Sequence, residues 1–270
     1  VFGYTVESEK RVYDPNDDHR GEAMHPALNE QAHRPWPIPA TPWTWRQSWR
    51  DLLFAHWALP VEAIRSLVPT ILDIDTFEGR TYVGVVPFRM EGVTRRPFPP
   101  MPWLSAFPEL NVRFYVRHRD KPGVFFLSLD ADNPLAVWAA RTFFRLPYFW
   151  SKMQLTGDTA QGFHYASQRR MGTQAAKFVA QYRPTGEPFT APKGSLEAFL
   201  VERYCLYTVD RRGRLLRGEV HHAPWPLQHA DATIDAGELL ATHGLNVANA
   251  APHLLFTPGV DVVLWGLVRA

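Results

Sequence analysis

Between Glu109 and Val116 the chain alternates without a break. Leu110, Val112, Phe114 and Val116 hold one parity, and Glu109, Asn111, Arg113 and Tyr115 hold the other. A period of two belongs to an extended strand whose successive side chains point to opposite faces. This stretch therefore divides an apolar space from one that carries an acid, an amide, a guanidinium and a phenol. Same-face neighbours stand about 7 Å apart along a strand, a spacing suited to the wall of a polar pocket. The competing reading is a sheet whose polar side meets water, the usual fate of an alternating strand. Asparagine is disfavoured in a plain surface strand, which leans toward the pocket.

The rest of the chain reads as mostly β. Strands are expected at Trp45 to Trp57, as a short pair within Asp73 to Phe88 joined through Glu78-Gly79, and at Val124 to Leu129. Further strands fall at Phe163 to Arg170, Ala175 to Arg183, Leu200 to Val209, Leu215 to His222 and Val262 to Leu267. Asp210-Arg211-Arg212-Gly213 has the composition of a hairpin turn. A short helix opens at Pro60, runs through Val61, Ile64, Leu67 and Val68, and stops at Pro69. Pro134 to Met153 looks helical until Pro147 interrupts it, Glu197 to Val201 and Ala236 to Leu245 are shorter helix candidates, and Arg95 to Pro108 reads as a proline-rich loop. The spacing predicts a mainly antiparallel, α+β chain with no internal repeat. Residues 1–42 read as a polar arm followed by a Pro/Trp-rich strap from Pro35 to Trp43, and 43–270 as a single domain.

Composition narrows the classes of function. The 29 basic and 27 acidic residues nearly cancel, so no field draws the chain to nucleic acid or to an anionic membrane. The most apolar stretch, Val260 to Val268, is far short of a span. One cysteine, Cys205, allows no intramolecular disulfide, and no secretory leader is legible, so the expected setting is the cytoplasm. There is no P-loop, dinucleotide fingerprint or GxSxG elbow. Glu219, His221, His222 and His229 form the densest group of metal-ligand types, but no spacing matches a ligand pattern, and neither metal nor cofactor is expected. His56, in an apolar strand, reads first as a hydrogen-bonded core histidine, and Arg141, in an apolar stretch, as half of a salt bridge.

A resemblance emerges from many short pieces in order. They are Phe54-Ala55-His56-Trp57, Leu67-Val68-Pro69, Asp75-Thr76-Phe77-Glu78-Gly79, Val85-Val86-Pro87-Phe88 and Phe107-Pro108-Glu109-Leu110-Asn111-Val112-Arg113. Phe126-Leu127-Ser128-Leu129-Asp130, Ala140-Arg141, Leu146-Pro147-Tyr148 and Pro224-Trp225-Pro226-Leu227-Gln228 follow. Together they resemble the uncharacterised YqjF-like proteins, a domain of unknown function that is similar to acetoacetate decarboxylase. The resemblance implies a cone-shaped, mostly antiparallel β-barrel around a cavity, with a few peripheral helices. It sets Glu109 on the decarboxylase glutamate, Arg141 on its arginine and Tyr148 on the first of its two lysines, with Phe149 on the second. Thr142 stands where that pattern has a further glutamate. Tyrosine forms no Schiff base, so the decarboxylase chemistry is not implied. If the segment were helical, Lys152 would lie one turn beyond Tyr148 and offer a replacement amine.

The expected function is binding of a small organic acid or carbonyl compound. Glu109 and Tyr148 are the candidate catalytic groups, and Asn111, Arg113, Arg141, His56 and Trp225 the candidate ligand-binding ones. If the protein is an enzyme, a Schiff-base-independent lyase, hydratase or isomerase is the natural class. The alternative is a non-catalytic scaffold or interaction protein with a packed barrel, and a homo-oligomer fits either reading.

Overall fold

A computed structural model describes residues 25–98, 106–172, 176–247 and 250–270. Residues 1–24 of the expected arm, 99–105 of the expected loop and Ala175 lie outside them. The strands are β1 (Trp45–Leu59), β2 (Asp73–Ile74), β3 (Thr81–Arg95), β4 (Phe107–His118), β5 (Lys121–Ala131), β6 (Tyr148–Asp158) and β7 (Gly162–Arg169). They continue with β8 (Lys177–Phe189), β9 (Cys205–Val209), β10 (Leu215–His222), β11 (Leu227–Asp235), β12 (His253–Leu264) and β13 (Val268–Arg269). The helices are α1 (Pro134–Phe143), α2 (Leu196–Val201) and α3 (Gly237–Ala241). Among the described residues no helix is long and apolar enough to cross a membrane.

All thirteen strands belong to one sheet. Pairing is antiparallel except where β5 runs parallel to β6 and to β9. Two strands fork. β5 pairs along one edge with β4, and along the other with β9 at Val124–Phe125 and with β6 at Leu129–Ala131. β12 pairs along one edge with β1, and along the other with β10 at Val262–Leu264 and with β11 at Leu255–Phe256. The wall β12-β1-β3-β4-β5 is thus common to two closed circuits of strands. One is completed by β6, β7, β8 and β11, the other by β9 and β10.

A shared wall must be apolar on both faces, and it is. Leu53, Ala55, Val83, Val85, Leu110, Val112 and Phe114 pack into the first circuit with Tyr165, Phe178 and Phe256. Leu52, Phe54, Val86, Phe88 and Val262 turn to the second, with Leu206, Val220 and Trp225. Burial on both faces at period two is what lets one strand serve two interiors. The crossing of β1 over β12 requires a glycine, because Gly259 has φ 129 and a Cβ there would stand 2.0 Å from the Trp49 carbonyl oxygen.

Several elements differ from expectation. The helix expected at Pro60 is two short 3-10 turns, Val61–Ala63 and Arg65–Leu67. The first of the expected short strands, β2, pairs with β4, while the second lengthens to fifteen residues as β3. Residues 134–153 are not one helix. α1 ends at Phe143, Arg145 turns left-handed at φ 53, and β6 begins at Tyr148. The left-handed Arg145 ends the helix before the expected interruption at Pro147, and the stretch beyond it is strand. The start of the expected strand at Leu200 is instead the end of α2. β11 was not expected, and β12 begins nine residues before the strand read at Val262.

The segment before β1 packs on the barrel, including the last residues of the expected polar arm. Ala27 and Leu28 bury against Val263 and Trp265. Arg34 pairs with Glu219 at 2.9 Å, and Trp36 Nε1 donates to the same carboxylate at 2.8 Å.

Candidate functional site

The second circuit is not filled. It holds a cavity of about 430 Å³, so the barrel is not plugged by its own side chains. Glu109, Asn111 and Arg113 of β4 all line it, together with Tyr148 from β6 and Trp225 from the segment between β10 and β11. The parity seen in the sequence is therefore resolved inward. The remaining walls are aromatic and aliphatic, with Trp45, Trp49, Phe54, Phe88, Phe126 and Val220 among them.

Glu109 is the chemical centre of one end. Its side chain is buried, and Tyr148 donates its hydroxyl toward both carboxylate oxygens at 3.1 and 3.2 Å. Burial pushes the Glu109 carboxyl up to about 8, against the opposing hydrogen bonds from Tyr148 and Asn111. The acid thus titrates near neutrality, where proton transfer in both directions is efficient. Burial and the adjacent Glu109 raise the Tyr148 phenol well above its ordinary value, so it stays a donor. Tyr165 fixes the strand beneath by donating to the Glu109 carbonyl oxygen at 2.7 Å. Asn111 Oδ1 is buried without a hydrogen-bond partner, an acceptor left open at the wall.

The other end carries positive charge. Arg113 donates from Nη2 to the Leu200 carbonyl oxygen at 3.1 Å and from Nε to the Tyr115 hydroxyl at 3.4 Å, and it lies 5.6 Å from the centre of the Phe54 ring. No carboxylate among the described residues pairs with it. Arg203 also reaches the lining but is neutralised by Asp75 at 2.6 Å. Trp225 closes this end as a rigid plate. It stacks on Trp49 at 6.0 Å, meets Phe54 edge-on at 5.1 Å, and donates Nε1 to the Val201 carbonyl oxygen at 3.0 Å. His222 lines the cavity beside it, and burial pulls its imidazole down to about 3, so it is neutral.

Two candidate ligand-binding residues stand off the lining. Arg141 is exposed on α1, where Ala136 and Ala140 face the cavity and the arginine points away, donating to the Tyr148 carbonyl oxygen at 2.9 Å. It makes no carboxylate pair among the described residues, and its contact with the site passes through backbone. His56 is buried and bonds the Tyr115 hydroxyl at 2.6 Å through Nε2. It stacks on Phe54, which lines the cavity, without lining it itself. Lys152 does not replace a lost amine, because β6 buries Ser151 and Met153 and turns Lys152 outward. No lysine is among the lining residues. Glu219 of the supposed metal group has its oxygens occupied by Arg34, Trp36, Lys121 and Arg217, and no metal-binding group of three ligands exists among the described residues.

Sequence reasoning missed Trp49, Arg203 and His222 as parts of the lining. For His222 a signal existed, since it shares strand parity with Val220. Trp49 comes from β1 and Arg203 from the connection between α2 and β9, and only the ring closure unites them.

The mouth is built by α1. Leu135 and Trp138 line the cavity, as does Phe98, yet all three are more than half exposed. Asn133 caps this helix, its Oδ1 accepting from the Leu135 and Ala136 backbone N–H groups at 3.1 and 3.0 Å. Asn133→Ala is expected to cost about 1 kcal/mol in urea denaturation. An unchanged midpoint would remove the cap as a support of the mouth.

Comparison with known proteins places this geometry. The model of DUF2071, described as an uncharacterized conserved protein, matches residues 46–261. The uncharacterized protein YqjF of Bacillus subtilis (strain 168) is 43% identical over 230 residues, covering 85% of this chain and 94% of that protein. Among solved structures, acetoacetate decarboxylase from Legionella pneumophila superposes with a TM-score of 0.58 at 14% identity, covering 92% of this chain and 97% of its own. The enduracididine biosynthesis enzyme MppR complexed with pyruvate gives a TM-score of 0.58 at 14% identity, covering 85% and 91%. At such identity these two structures establish the fold alone.

Proposed function

Because the chain belongs to the DUF2071 family of uncharacterized conserved proteins, whose name carries no activity, we propose from the cavity itself that it binds a small carbonyl or carboxylate compound and moves a proton on it through Glu109 and Tyr148. The observation that carries this reading is a buried carboxyl, titrating near 8, on the wall of an open interior and held by a phenol. A neutral Glu109 donates to a carbonyl oxygen or a leaving oxygen. Once ionised, it takes a proton from the adjacent carbon, and Tyr148 holds it in place for both steps. The apolar walls exclude water and strengthen these contacts. An imine route finds no support, since Tyr148 occupies the position where the resemblance has lysine and no lysine lines the cavity. The likeness to a pyruvate-complexed enzyme agrees with a carbonyl ligand. The reaction class that follows is a lyase, hydratase or isomerase working by proton transfer.

The test is solvent-deuterium incorporation next to the carbonyl in a panel of oxo acids of two to ten carbons beyond the carboxylate, followed by NMR. Exchange is expected with the native protein and at least about 100-fold slower with Glu109→Gln. Borohydride treatment should leave the protein mass unchanged. Exchange by Glu109→Gln at the native rate, or a trapped imine, sinks the reading.

A further inference from the structure

The two ends of the cavity are far apart. Glu109 and Arg113 lie four residues apart on one strand face, which sets their Cα atoms about 13 Å apart. Their side chains do not meet. The Glu109 carboxylate meets Tyr148, while the Arg113 guanidinium turns to Leu200, Tyr115 and Phe54. The mouth is at the Glu109 end, where α1 supplies Leu135 and Trp138 and β6 supplies Tyr148. Arg113 sits at the closed end among buried Phe54, Trp225 and Val201.

A buried guanidinium without a carboxylate partner is costly unless something supplies the counter-charge. Two of its nitrogens are held by single neutral acceptors, which leaves donors on Nη1 and Nη2 for one further acceptor pair. A carboxylate matches that fork. A small oxo acid cannot reach both ends. At roughly 1.2 Å per bond of an extended chain, a ligand lying along the ~13 Å of strand between these residues has on the order of ten bonds. The volume agrees, since about 430 Å³ holds about fourteen non-hydrogen atoms at the ~30 Å³ share of a water-sized group. Between the ends the walls are Trp49, Leu52, Phe88 and Phe126, which offer an alkyl or aryl chain no polar competition.

We infer that the ligand of this cavity is an elongated, largely apolar monocarboxylate of about ten to twelve carbons. Its carboxylate is bound by Arg113 at the closed end, its body runs along the aromatic walls, and its far end lies at Glu109 and the mouth. The inference rests on the reading of the cavity as a ligand site, and it adds the size, charge and direction of what enters. The exposed Leu135, Trp138 and Phe98 then form an apolar threshold continuous with the lumen.

Isothermal titration of the full chain with butanoate, hexanoate, octanoate, decanoate and dodecanoate tests it, with 1-decanol as a neutral chain of the same length. Affinity is expected to rise about threefold per methylene up to decanoate. Arg113→Gln should weaken decanoate at least about tenfold and change 1-decanol less than about twofold. Arg113→Lys should restore part of the decanoate affinity, and circular dichroism and thermal melting verify that each variant is folded. Arg95 is a second cation on the lining, and Arg95→Gln should weaken decanoate much less than Arg113→Gln. The inference is overturned by a flat dependence on chain length, by equal losses of decanoate and 1-decanol in Arg113→Gln, or by a loss in Arg95→Gln that exceeds the loss in Arg113→Gln. If short oxo acids exchange deuterium through Glu109 while decanoate does not bind, the inference fails and the proton-transfer reading stands. If decanoate binds through Arg113 and no exchange depends on Glu109, the reverse holds.

Discussion

Glu109→Gln is expected to be more stable than the native protein at pH 8, by up to about 5 kcal/mol, and to lose that advantage below about pH 4.5. The sign follows from the direction of the shift. Glu109 titrates near 8 in the folded chain, whereas an unhindered glutamate titrates at 4.5. Below 4.5 the carboxyl is protonated folded or unfolded, and it contributes no pH dependence. As pH rises from 4.5 to 8 the unfolded chain releases the proton while the folded chain keeps it, so stability falls, and above 8 the loss is complete. At about 1.4 kcal/mol for each tenfold difference in proton affinity, the loss reaches about 5 kcal/mol as an upper figure. Glutamine has no proton to lose and still accepts from Tyr148. Urea denaturation of both proteins at pH 5 and pH 8 measures the difference, and comparing the two cancels the histidines and other carboxylates. A native protein no weaker than the variant at pH 8 would show that Glu109 ionises freely, and the proton-transfer role would go with it. The native residue thus costs stability at the pH where the proposed proton transfer would be best placed, a common mark of a functional acid.

Glu219→Ala is expected to destabilise the fold by about 3–5 kcal/mol. Its carboxylate is buried and receives Arg34 and Trp36 from the segment before β1, Arg217 from β10 and Lys121 from β5. Truncation leaves the side chain of Arg34, nearly inaccessible, as a buried charge with only backbone acceptors, the Val220 and Trp36 carbonyl oxygens. The double variant Arg34→Met with Glu219→Ala should regain much of the loss, because it removes the stranded charge as well as its partner. Limited proteolysis should cut Glu219→Ala first within residues 25–43. If the single and double variants unfold at the same denaturant concentration, the cost lies in packing and the ion pair is incidental.

How far the sequence discloses the fold depends on how much each strand's two faces differ. β4 is legible because its apolar members are large and its polar members are of four kinds, so the period of two is plain. β11 carries Ala230, Ala232 and Ile234 on its inner face, too little apolar bulk to mark a strand beside His229, Asp231 and Thr233. β12 contains Pro258 and Gly259, which read as punctuation. In the folded chain the glycine is the close crossing with β1, a long-range constraint invisible in local pattern. β6 was hidden behind a helix that stops at a left-handed arginine. The polar half of the cavity wall followed from parity and Tyr148 from the resemblance, and the cavity brings them together. Arg141 was placed by alignment of short motifs, and helix geometry sent it outward. Trp49, Arg203 and His222 gather only once the strands close.

The wall between the two circuits has a consequence for how such a protein can change. Val112 and Phe114 face the packed interior, yet their neighbours Asn111 and Arg113 on the same pleat face the open one. A methylene added or removed on the solid side displaces backbone, and close-packed interiors transmit such displacements. The shape of the hollow compartment is therefore adjustable from residues that do not line it.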